Sequence, residues 1–368
     1  MSYSTPKINA LGLDDETMSQ IHKVSNIPAF ENICIMPDAH AGAGSPIGFT
    51  ARVAGYVCPN VVGVDIGCGV RGVFIGKKDI DYEALDSYLK SEIPLGMRHR
   101  TEPATFKAGE QKVIDMALRC QDRIGFNRHS VANQVGTLGG GNHFIEIGES
   151  SSGKWIFIHS GSRNFGLTVA KYYQAIAVEK QVLATPKGLE CLSLEDEGYE
   201  YLRDMGIAQE IAKLNREVMM RSILTFLDAK KLTDTDCVHN YIGADLIIRK
   251  GAISAYKGEP TLTPLNMMDG TVIGRGKGNE TDYNNSAPHG AGRLFARGAM
   301  KRRFASGELT LEGFKHDMEG VFSTTVNEST YDESPYAYKP YEMIKQYLEE
   351  TIEILDIAKP KYNLKGGE

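Results

Sequence analysis

Histidines recur at the ends of apolar or glycine-rich segments of this 368-residue chain. One such histidine would usually be a packed core or loop residue. Several in the same setting, together with acidic and thiol groups in similar segments, favour a shared chemical site. The four histidines at positions 22, 99, 129 and 316 lie in polar or basic segments and are predicted to be at the surface. The recurring set comprises His40, His143, His159, His239 and His289.

The segment VDIGCGVRG supplies an acidic group, Asp65, and a thiol, Cys68, with glycines on both sides of the cysteine. Glycine lets the backbone turn sharply, so a carboxylate and a thiolate can converge on one point. Carboxylate, thiolate and imidazole are together the ligand types of a divalent transition metal. The segment therefore predicts a metal site, with an ordinary tight turn between core strands as the alternative.

A second segment, GGGNHFIE, places Asn142, His143 and Glu146 directly after three glycines. If a strand follows, His143 and Glu146 fall on opposite faces, so one can serve a metal and the other a different ligand. Glycine-rich turns also bind phosphate through backbone N–H groups. The sequence contains no GxxxxGK[ST] motif, which excludes a P-loop nucleotide site.

Two glycine-rich loops pair a histidine with an arginine four residues later. HSGSRNFG contains His159 and Arg163, and HGAGR contains His289 and Arg293. A guanidinium is always charged and binds phosphate bidentately, while a neutral imidazole is a metal ligand or a nucleophile toward phosphorus. The pairs favour a phosphate site, and turns with solvated arginines are the alternative.

The elements that must position these residues alternate along the chain. Up to about residue 75 the sequence pattern is strand-like. The apolar residues then have helical spacing over 79–135 and again over 168–232. The segments around His143 and His159, and the stretch 236–290, return to strand patterns. Because the chemical residues lie in strand-rich segments on both sides of the helical ones, one interlocked α+β domain explains the pattern better than two domains.

Bulk properties limit the choice of partner and compartment. The formal net charge is -6, so nucleic acid must be bound through a local basic site rather than by overall charge. Six scattered cysteines without a CxxC pair suit a reducing compartment. No segment has the apolar length of a membrane helix, and the first residues lack the order of a secretory signal. These features predict a cytoplasmic protein with no membrane partner.

Together, these motifs resemble the RtcB-type RNA ligases. The resemblance covers nearly the whole chain and implies a single catalytic domain over residues 1–368. The implied fold is α+β, with a strand-rich core around a two-metal pocket and peripheral helices. The segments that carry the resemblance, in family order, are MPDAHAGAGSPIG, VGVDIGCGVRG, GTLGGGNHFIEIG, IHSGSRNFG, CVHN, HGAGR, DESPYAYK and KPKYNLKGGE.

The resemblance implies two Mn²⁺ ions that share the sulfur of Cys68. His143 and His159 would complete one ion, and Asp65 and His239 the other. Ligand softness alone would suggest zinc for one thiolate and three imidazoles. The family likeness instead indicates manganese as the working ion and zinc as an inhibitor.

The resemblance also implies GTP as cofactor and His289 as the nucleophile that takes GMP from it. The GMP would pass to an RNA 3′-phosphate, formed where necessary from a 2′,3′-cyclic phosphate, and a 5′-hydroxyl end would then displace it. Arg163 and Arg293 would bind the RNA phosphate, and an archease-type protein is an expected activator. The implied nucleotide contacts are Asn142, Glu146, His289, Gly290, Ala291, Gly292 and Lys365.

The sequence departs from the family pattern in places that concern the substrate. It is short between Cys68 and Gly139, and residues 267–280 lack the family's serine-containing guanylate loop. The metal and nucleophile positions are intact. RNA repair or tRNA splicing is therefore expected, with two alternatives: a guanylyltransferase that only caps 3′-phosphate ends, and a metal-dependent phosphodiesterase.

Overall fold

A computed structural model describes residues 5–10, 12–125 and 129–367 of the chain. Its strands are β1 Lys7–Ile8, β2 Phe30–His40, β3 Ile47–Val53, β4 Tyr56–Val57, β5 Gly69–Gly76, β6 Phe144–Ser150, β7 Gly153–Ser160, β8 Leu192–Ser193, β9 Thr233–Val238, β10 Asn240–Ile242, β11 Ile247–Lys250, β12 Ala252–Ser254, β13 Pro260–Pro264, β14 Thr271–Gly276, β15 Ser286–Pro288 and β16 Ile352–Lys365. Its α-helices are α1 Asp15–Ser25, α2 Pro59–Val62, α3 Tyr82–Glu92, α4 Ala108–Arg123, α5 Val131–Gln134, α6 Arg163–Lys180, α7 Glu197–Phe226, α8 Glu280–Tyr283, α9 Arg297–Ala305, α10 Leu311–Asp317 and α11 Tyr341–Thr351. Two 3₁₀ helices span Glu328–Glu333 and Pro335–Ala337.

A seven-stranded antiparallel sheet forms the centre of the molecule, in the order β13-β14-β16-β6-β7-β5-β9. Both faces of the central strands are covered, which explains the continuous apolar run in β7. Ile156 and Ile158 pack with residues of α3 and α7 on one side. Phe157, which alternates with them along the strand, packs with residues of β13, β14 and α11 on the other.

A second sheet has the order β1-β2-β3-β11-β10. Only its β1–β2 pair is parallel, and β3 pairs antiparallel with both β2 and β11. The two sheets share the chain segment near residue 239, where β9 ends in the first sheet and β10 begins in the second. The C-terminal ends of β2 and β9 and the start of β5 thereby supply residues to one region, which holds the candidate site.

The α+β prediction is confirmed, and most predicted segments have the expected structure. Two details were wrong. Helix α1 interrupts the strand-like N-terminal region, and Asp14 caps it by accepting a hydrogen bond from the Thr17 backbone N–H at 2.7 Å. The strand-like region is interrupted again before residue 75, because Pro59 starts the short helix α2 and strand β5 begins only at Gly69.

Candidate metal centre and nucleotide cavity

A tight turn before β5 presents Asp65 and Cys68. The Cys68 backbone N–H donates to the Asp65 carbonyl oxygen at 3.1 Å, and the Gly67 N–H donates to the Asn240 carbonyl oxygen at 2.9 Å. Gly67 has a φ of +72°, and a Cβ there would lie 2.9 Å from the Cα of Gln209. Glycine is therefore required at this position both by conformation and by space.

Five potential ligand atoms form a chain of short contacts across this turn. The Cys68 Sγ atom lies 3.4 Å from His143 Nε2 and 3.3 Å from His159 Nε2. His143 Nε2 lies 3.0 Å from Asp65 Oδ2, and His159 Nε2 lies 3.3 Å from His239 Nε2. The ligand atoms of Cys68, His143 and His159 all fall within 4.8 Å of one another, and the three residues are buried.

Backbone carbonyls fix the orientation of two of these imidazoles. His143 Nδ1 lies 2.9 Å from the Leu138 carbonyl oxygen, and His159 Nδ1 lies 3.2 Å from that of Asn142. Because a carbonyl oxygen only accepts hydrogen bonds, Nδ1 carries the proton in each ring. The Nε2 lone pair of His159 is thus directed toward the sulfur, the arrangement that metal-binding histidines show. His143 Nε2 also contacts the Asp65 carboxylate, at 3.0 Å.

Burial keeps this cluster close to neutral. It lowers the pKa of His159 and of His239 well below the usual range, so both rings are uncharged. Burial, together with the nearby Asp65 carboxylate, raises the pKa of the Cys68 thiol. Burial also opposes ionisation of Asp65, but the hydrogen bond and charge of His143 outweigh it and lower the Asp65 pKa to about 2. Neutral imidazoles, a carboxylate and a displaceable thiol proton fit a divalent metal ion.

Helix α7 supports the cluster through two buried side chains that the sequence did not single out. The Arg216 guanidinium donates to the Gly67 carbonyl oxygen at 2.9 Å and to that of Ser160 at 2.7 Å, and it also pairs with Asp236. The Asn215 amide binds the backbone of 136–137 and of Gly161. The sequence analysis missed Asn215 and Arg216 because both occur in the middle of an ordinary helical pattern.

His289 follows β15 and lies against the same cluster. Its ring centroid is 4.8 Å from that of His239. Its Nδ1 atom lies 2.7 Å from Oδ2 of Asp38, whose side chain is completely buried. A carboxylate oxygen accepts, so Nδ1 is the nitrogen that donates, and in the neutral form of the ring the lone pair lies on Nε2. Asp38 was not predicted as a site residue, although the buried MPDAH segment of β2 was noted for its histidine.

A cavity of about 600 Å³ opens beside His289. Its apolar wall includes Phe144, Leu265 and Met267. Met267 begins the region 267–280, which lacks the family's serine-containing guanylate loop. The other sequence-predicted residues that line it are Asn142, Glu146, His159, Gly290, Ala291, Gly292, Arg293 and Lys365, and His40 also lines it.

A buried carboxylate neutralises the basic side chains of this cavity. Glu333 lies 3.2 Å from Lys365 Nζ, 3.3 Å from Arg293 Nη1 and 2.7 Å from Arg297 Nη1. Burial opposes ionisation of Glu333, but these three cations lower its pKa to about 2. Arg293 also donates to the Phe295 and Asp332 carbonyl oxygens, so its guanidinium is already engaged inside the protein.

A second cavity, of about 370 Å³, adjoins the cluster of candidate metal ligands and includes His289 in its wall. Asp65, Cys68 and His239 line it together with Lys250, a residue that the sequence did not single out. Lys250 Nζ donates to the Ala43 carbonyl oxygen at 3.1 Å and to Ser45 Oγ at 2.9 Å. Burial lowers the Lys250 pKa to about 8.

Arg163 contacts the ligand cluster but, unlike Arg293 and Arg297, does not line the 600 Å³ cavity. It begins α6, and its Nη1 atom lies 3.4 Å from His143 Nδ1. Its guanidinium packs so closely on Gly139 that any side chain at Gly139 would collide with it. The two predicted phosphate-binding arginines, Arg163 and Arg293, are therefore held by different surroundings.

Comparison with known proteins places this arrangement in a family. The sequence profile described as "tRNA-splicing ligase RtcB" matches residues 20–366. The chain belongs to the RtcB family. The RNA-splicing ligase RtcB of Escherichia coli strain K12 is 29% identical over 398 residues, covering 96% of this chain and 95% of that protein. The tRNA-splicing ligase RtcB of Aeropyrum pernix is 26% identical over 427 residues, covering 90% and 87%.

RtcB membership agrees with the resemblance seen in the sequence.

The four histidines predicted to lie at the surface, at positions 22, 99, 129 and 316, are all exposed. Within the described ranges, no helix has both the length and the apolar character needed to cross a membrane.

Proposed function

We propose that this chain is a GTP- and manganese-dependent RNA ligase. It would join an RNA 3′-phosphate or 2′,3′-cyclic phosphate end to a 5′-hydroxyl end, in RNA repair or tRNA splicing. The observation that carries the proposal is the position of His289, an imidazole oriented by a buried carboxylate and in ring contact with His239 of the ligand cluster. Nucleophile and metal ligands are thus close enough to act on one phosphorus atom.

The residues that would hold the metal ions follow from the short contacts. Cys68, His143 and His159 form the mutually close set and would hold one Mn²⁺ ion. Asp65 and His239 would hold a second ion that shares the Cys68 sulfur. Bound divalent ions would neutralise phosphate charge and orient the displacement. The Cys68 side chain lies against both sets, because its sulfur contacts His143 and His159 and its thiol is hydrogen-bonded to the Asp65 carboxylate, so it would contribute to holding both ions.

His289 would perform the first covalent step. Its Nε2 lone pair attacks the α-phosphorus of GTP, the bond to the β-phosphate oxygen breaks, and pyrophosphate leaves. Asp38 holds the Nδ1 proton and stabilises the positive charge that the ring acquires. The nucleotide would occupy the 600 Å³ cavity, with Glu146 binding the guanine base and Asn142, Lys365 and the loop 290–292 contacting the guanylate.

The 370 Å³ cavity would bind the RNA ends, separately from the nucleotide. The RNA 3′-phosphate oxygen attacks the phosphorus on His289, which transfers GMP to the RNA. The 5′-hydroxyl then attacks the activated 3′-phosphorus, and GMP leaves. Lys250 and Arg163 supply positive charge near the ligand cluster for these phosphates, with Arg293 on the nucleotide side.

The whole chain is proposed to act as one catalytic domain, 1–368. The central sheet supports this, because it interleaves β5, β6 and β7 with strands from the C-terminal half of the chain. All six cysteines are unpaired and buried, which supports a reducing cytoplasmic location. An archease-type activator remains the proposed protein partner.

Labelled GTP tests the proposal directly. Incubation with Mn²⁺ should give an acid-labile covalent adduct on the wild-type protein and none on His289→Ala. His316→Ala, which changes an exposed histidine, should retain the adduct. Absence of an adduct on metal-loaded wild-type protein would reject the proposal.

Joining assays then separate the two alternatives. Sealing of a 3′-phosphate RNA to a 5′-hydroxyl RNA would exclude an enzyme that only caps 3′-phosphate ends. Turnover of RNA phosphodiesters without GTP, with no adduct, would instead support the phosphodiesterase.

A further inference from the structure

Two buried polar side chains stand next to each other in the wall of the nucleotide cavity. Glu146 of β6 and Asn363 of β16 are direct cross-strand partners in the central sheet. Directly opposed residues point to the same face of a sheet. The Asn363 Nδ2 atom donates to Glu146 Oε2 at 2.9 Å. Glu146 and Asn363 are 2% and 1% exposed, respectively.

Each residue of this pair keeps one oxygen without a partner. Glu146 Oε1 and Asn363 Oδ1 make no hydrogen bond within the described structure. Among the described residues that line the 600 Å³ cavity, these are the only buried side-chain oxygens in that state. Buried acceptors of this kind are rare in folded proteins because leaving them unpaired is costly. A ligand of the cavity is therefore expected to donate to both.

The polarity of the pair is set by charge. In its ionised form, which is the form that accepts from a donor ligand, Glu146 has only acceptor oxygens, so the Asn363 amide then directs its NH₂ group toward Glu146 and its oxygen away from it. The pair then offers two neighbouring acceptors. Glu333, the buried carboxylate that pairs with the basic side chains of this cavity, is not among the residues that line it and is already bound by three cations.

Guanine is the purine base whose edge matches two neighbouring acceptors. Its N1–H and 2-amino groups are adjacent donors, whereas adenine presents a donor beside an acceptor on the corresponding edge. We propose that Asn363 is a specificity-determining residue whose Oδ1 atom accepts a hydrogen bond from the guanine 2-amino group, beside Glu146 accepting from N1–H. This inference rests on the proposed use of GTP.

Inosine nucleotides isolate this contact, because hypoxanthine differs from guanine only in lacking the 2-amino group. With ITP, Asn363 Oδ1 would stay buried and unpaired. A penalty of that kind corresponds to about a 10- to 100-fold preference for GTP over ITP. The preference is to be measured as the ratio of second-order rates of adduct formation on His289.

The test compares wild type with Asn363→Leu, a substitution of similar volume without an acceptor. Wild type should prefer GTP about 10- to 100-fold, and the ratio for Asn363→Leu should fall to about 1. The circular dichroism spectrum and the thermal unfolding midpoint of the variant are the controls for folding. A wild-type ratio near 1, or an unchanged ratio in the variant, would overturn the inference while leaving guanylation intact.

Calorimetry on wild-type protein covers the case in which Asn363→Leu does not fold. GMP should then bind about 10- to 100-fold more tightly than IMP, and equal affinities would overturn the role of Asn363. Failure of the proposed function has a different signature. Wild-type protein would then form no adduct with either nucleotide.

Discussion

The Nδ1 atom of His289 lies 2.7 Å from the Oδ2 atom of Asp38, a carboxylate with no exposed surface. This contact selects the tautomer that leaves Nε2 free for attack. Replacing Asp38 with Asn keeps the size of the side chain but removes the charge and allows the wrong tautomer. Guanylation by Asp38→Asn should fall by about 10²- to 10⁴-fold, as for other buried aspartate–histidine pairs.

Two measurements check the role of Asp38. Single-turnover adduct formation with labelled GTP gives the rate, and calorimetry with GMP gives the affinity. The rate should fall while the affinity changes little, because Asp38 is not among the residues that line the nucleotide cavity. A normal rate in Asp38→Asn would contradict the assignment of Asp38 as a positioning residue.

The cysteines provide a matched test of the metal centre. Cys68 and Cys237 are both buried and unpaired, but only Cys68 contacts the imidazoles of the cluster. Cys68→Ala should weaken Mn²⁺ binding by about 100-fold or more, beyond the effect of losing an outer-shell partner. Cys237→Ala should bind metal as wild type does. Bound manganese is to be counted by elemental analysis after gel filtration.

Arg216 gives a prediction for stability rather than chemistry. Its guanidinium is fully buried and pairs with Asp236, whose side chain is 17% exposed. Arg216→Met would leave Asp236 and the carbonyls of Gly67 and Ser160 without their donor. The free energy of unfolding in urea should fall by about 3–5 kcal/mol. The double variant Arg216→Met/Asp236→Leu should recover part of this loss, whereas equal stability of all three proteins would show that the pair is unimportant.

Sequence patterns singled out the candidate metal ligands because each occurs in a short glycine-rich or strand-end motif. They did not identify Asp38 or Arg216, since a buried aspartate and a helical arginine give no local signal. Sequence patterns also could not predict which residues far apart in the chain come into contact. Glu146 and Asn363 are 217 positions apart, and only the register of β6 against β16 brings them together. Strand register is set by tertiary packing, which a local pattern does not encode.

The charge of Glu146 predicts how nucleotide binding depends on pH. Burial raises its pKa to about 8, although the Asn363 amide, the Lys365 charge and the Thr271 hydroxyl oppose this effect. In the empty cavity the group is thus largely protonated at pH 7. Guanine requires the ionised form, so binding releases a proton and GMP affinity should rise up to tenfold per unit from pH 6 to about 8, then level off.

Calorimetry in two buffers of different ionisation enthalpy checks this linkage. The apparent heat should reveal release of nearly one proton per GMP at pH 7 and almost none at pH 9. Glu146→Gln removes the titrating group and should show weak binding that does not change with pH. Proton uptake, or a flat affinity in wild type, would be inconsistent with an ionised Glu146 in the complex.

Lys250 should separate the two halves of the reaction. It lines the cavity that contains Asp65, Cys68 and His239, and it does not line the 600 Å³ nucleotide cavity. Lys250→Met keeps the length of the side chain and removes its charge. Adduct formation with GTP should stay within about threefold of wild type, whereas RNA joining should fall by about 100-fold through loss of charge-assisted phosphate binding. The burial of Lys250 also gives a pH signature. Its pKa is lowered to about 8, so the Lys250 charge is present below pH 8 and is lost above it. Wild-type joining should therefore decline above pH 8 relative to adduct formation, and Lys250→Met should lack that decline.

Equal losses of adduct formation and RNA joining in Lys250→Met would place Lys250 in the nucleotide step instead.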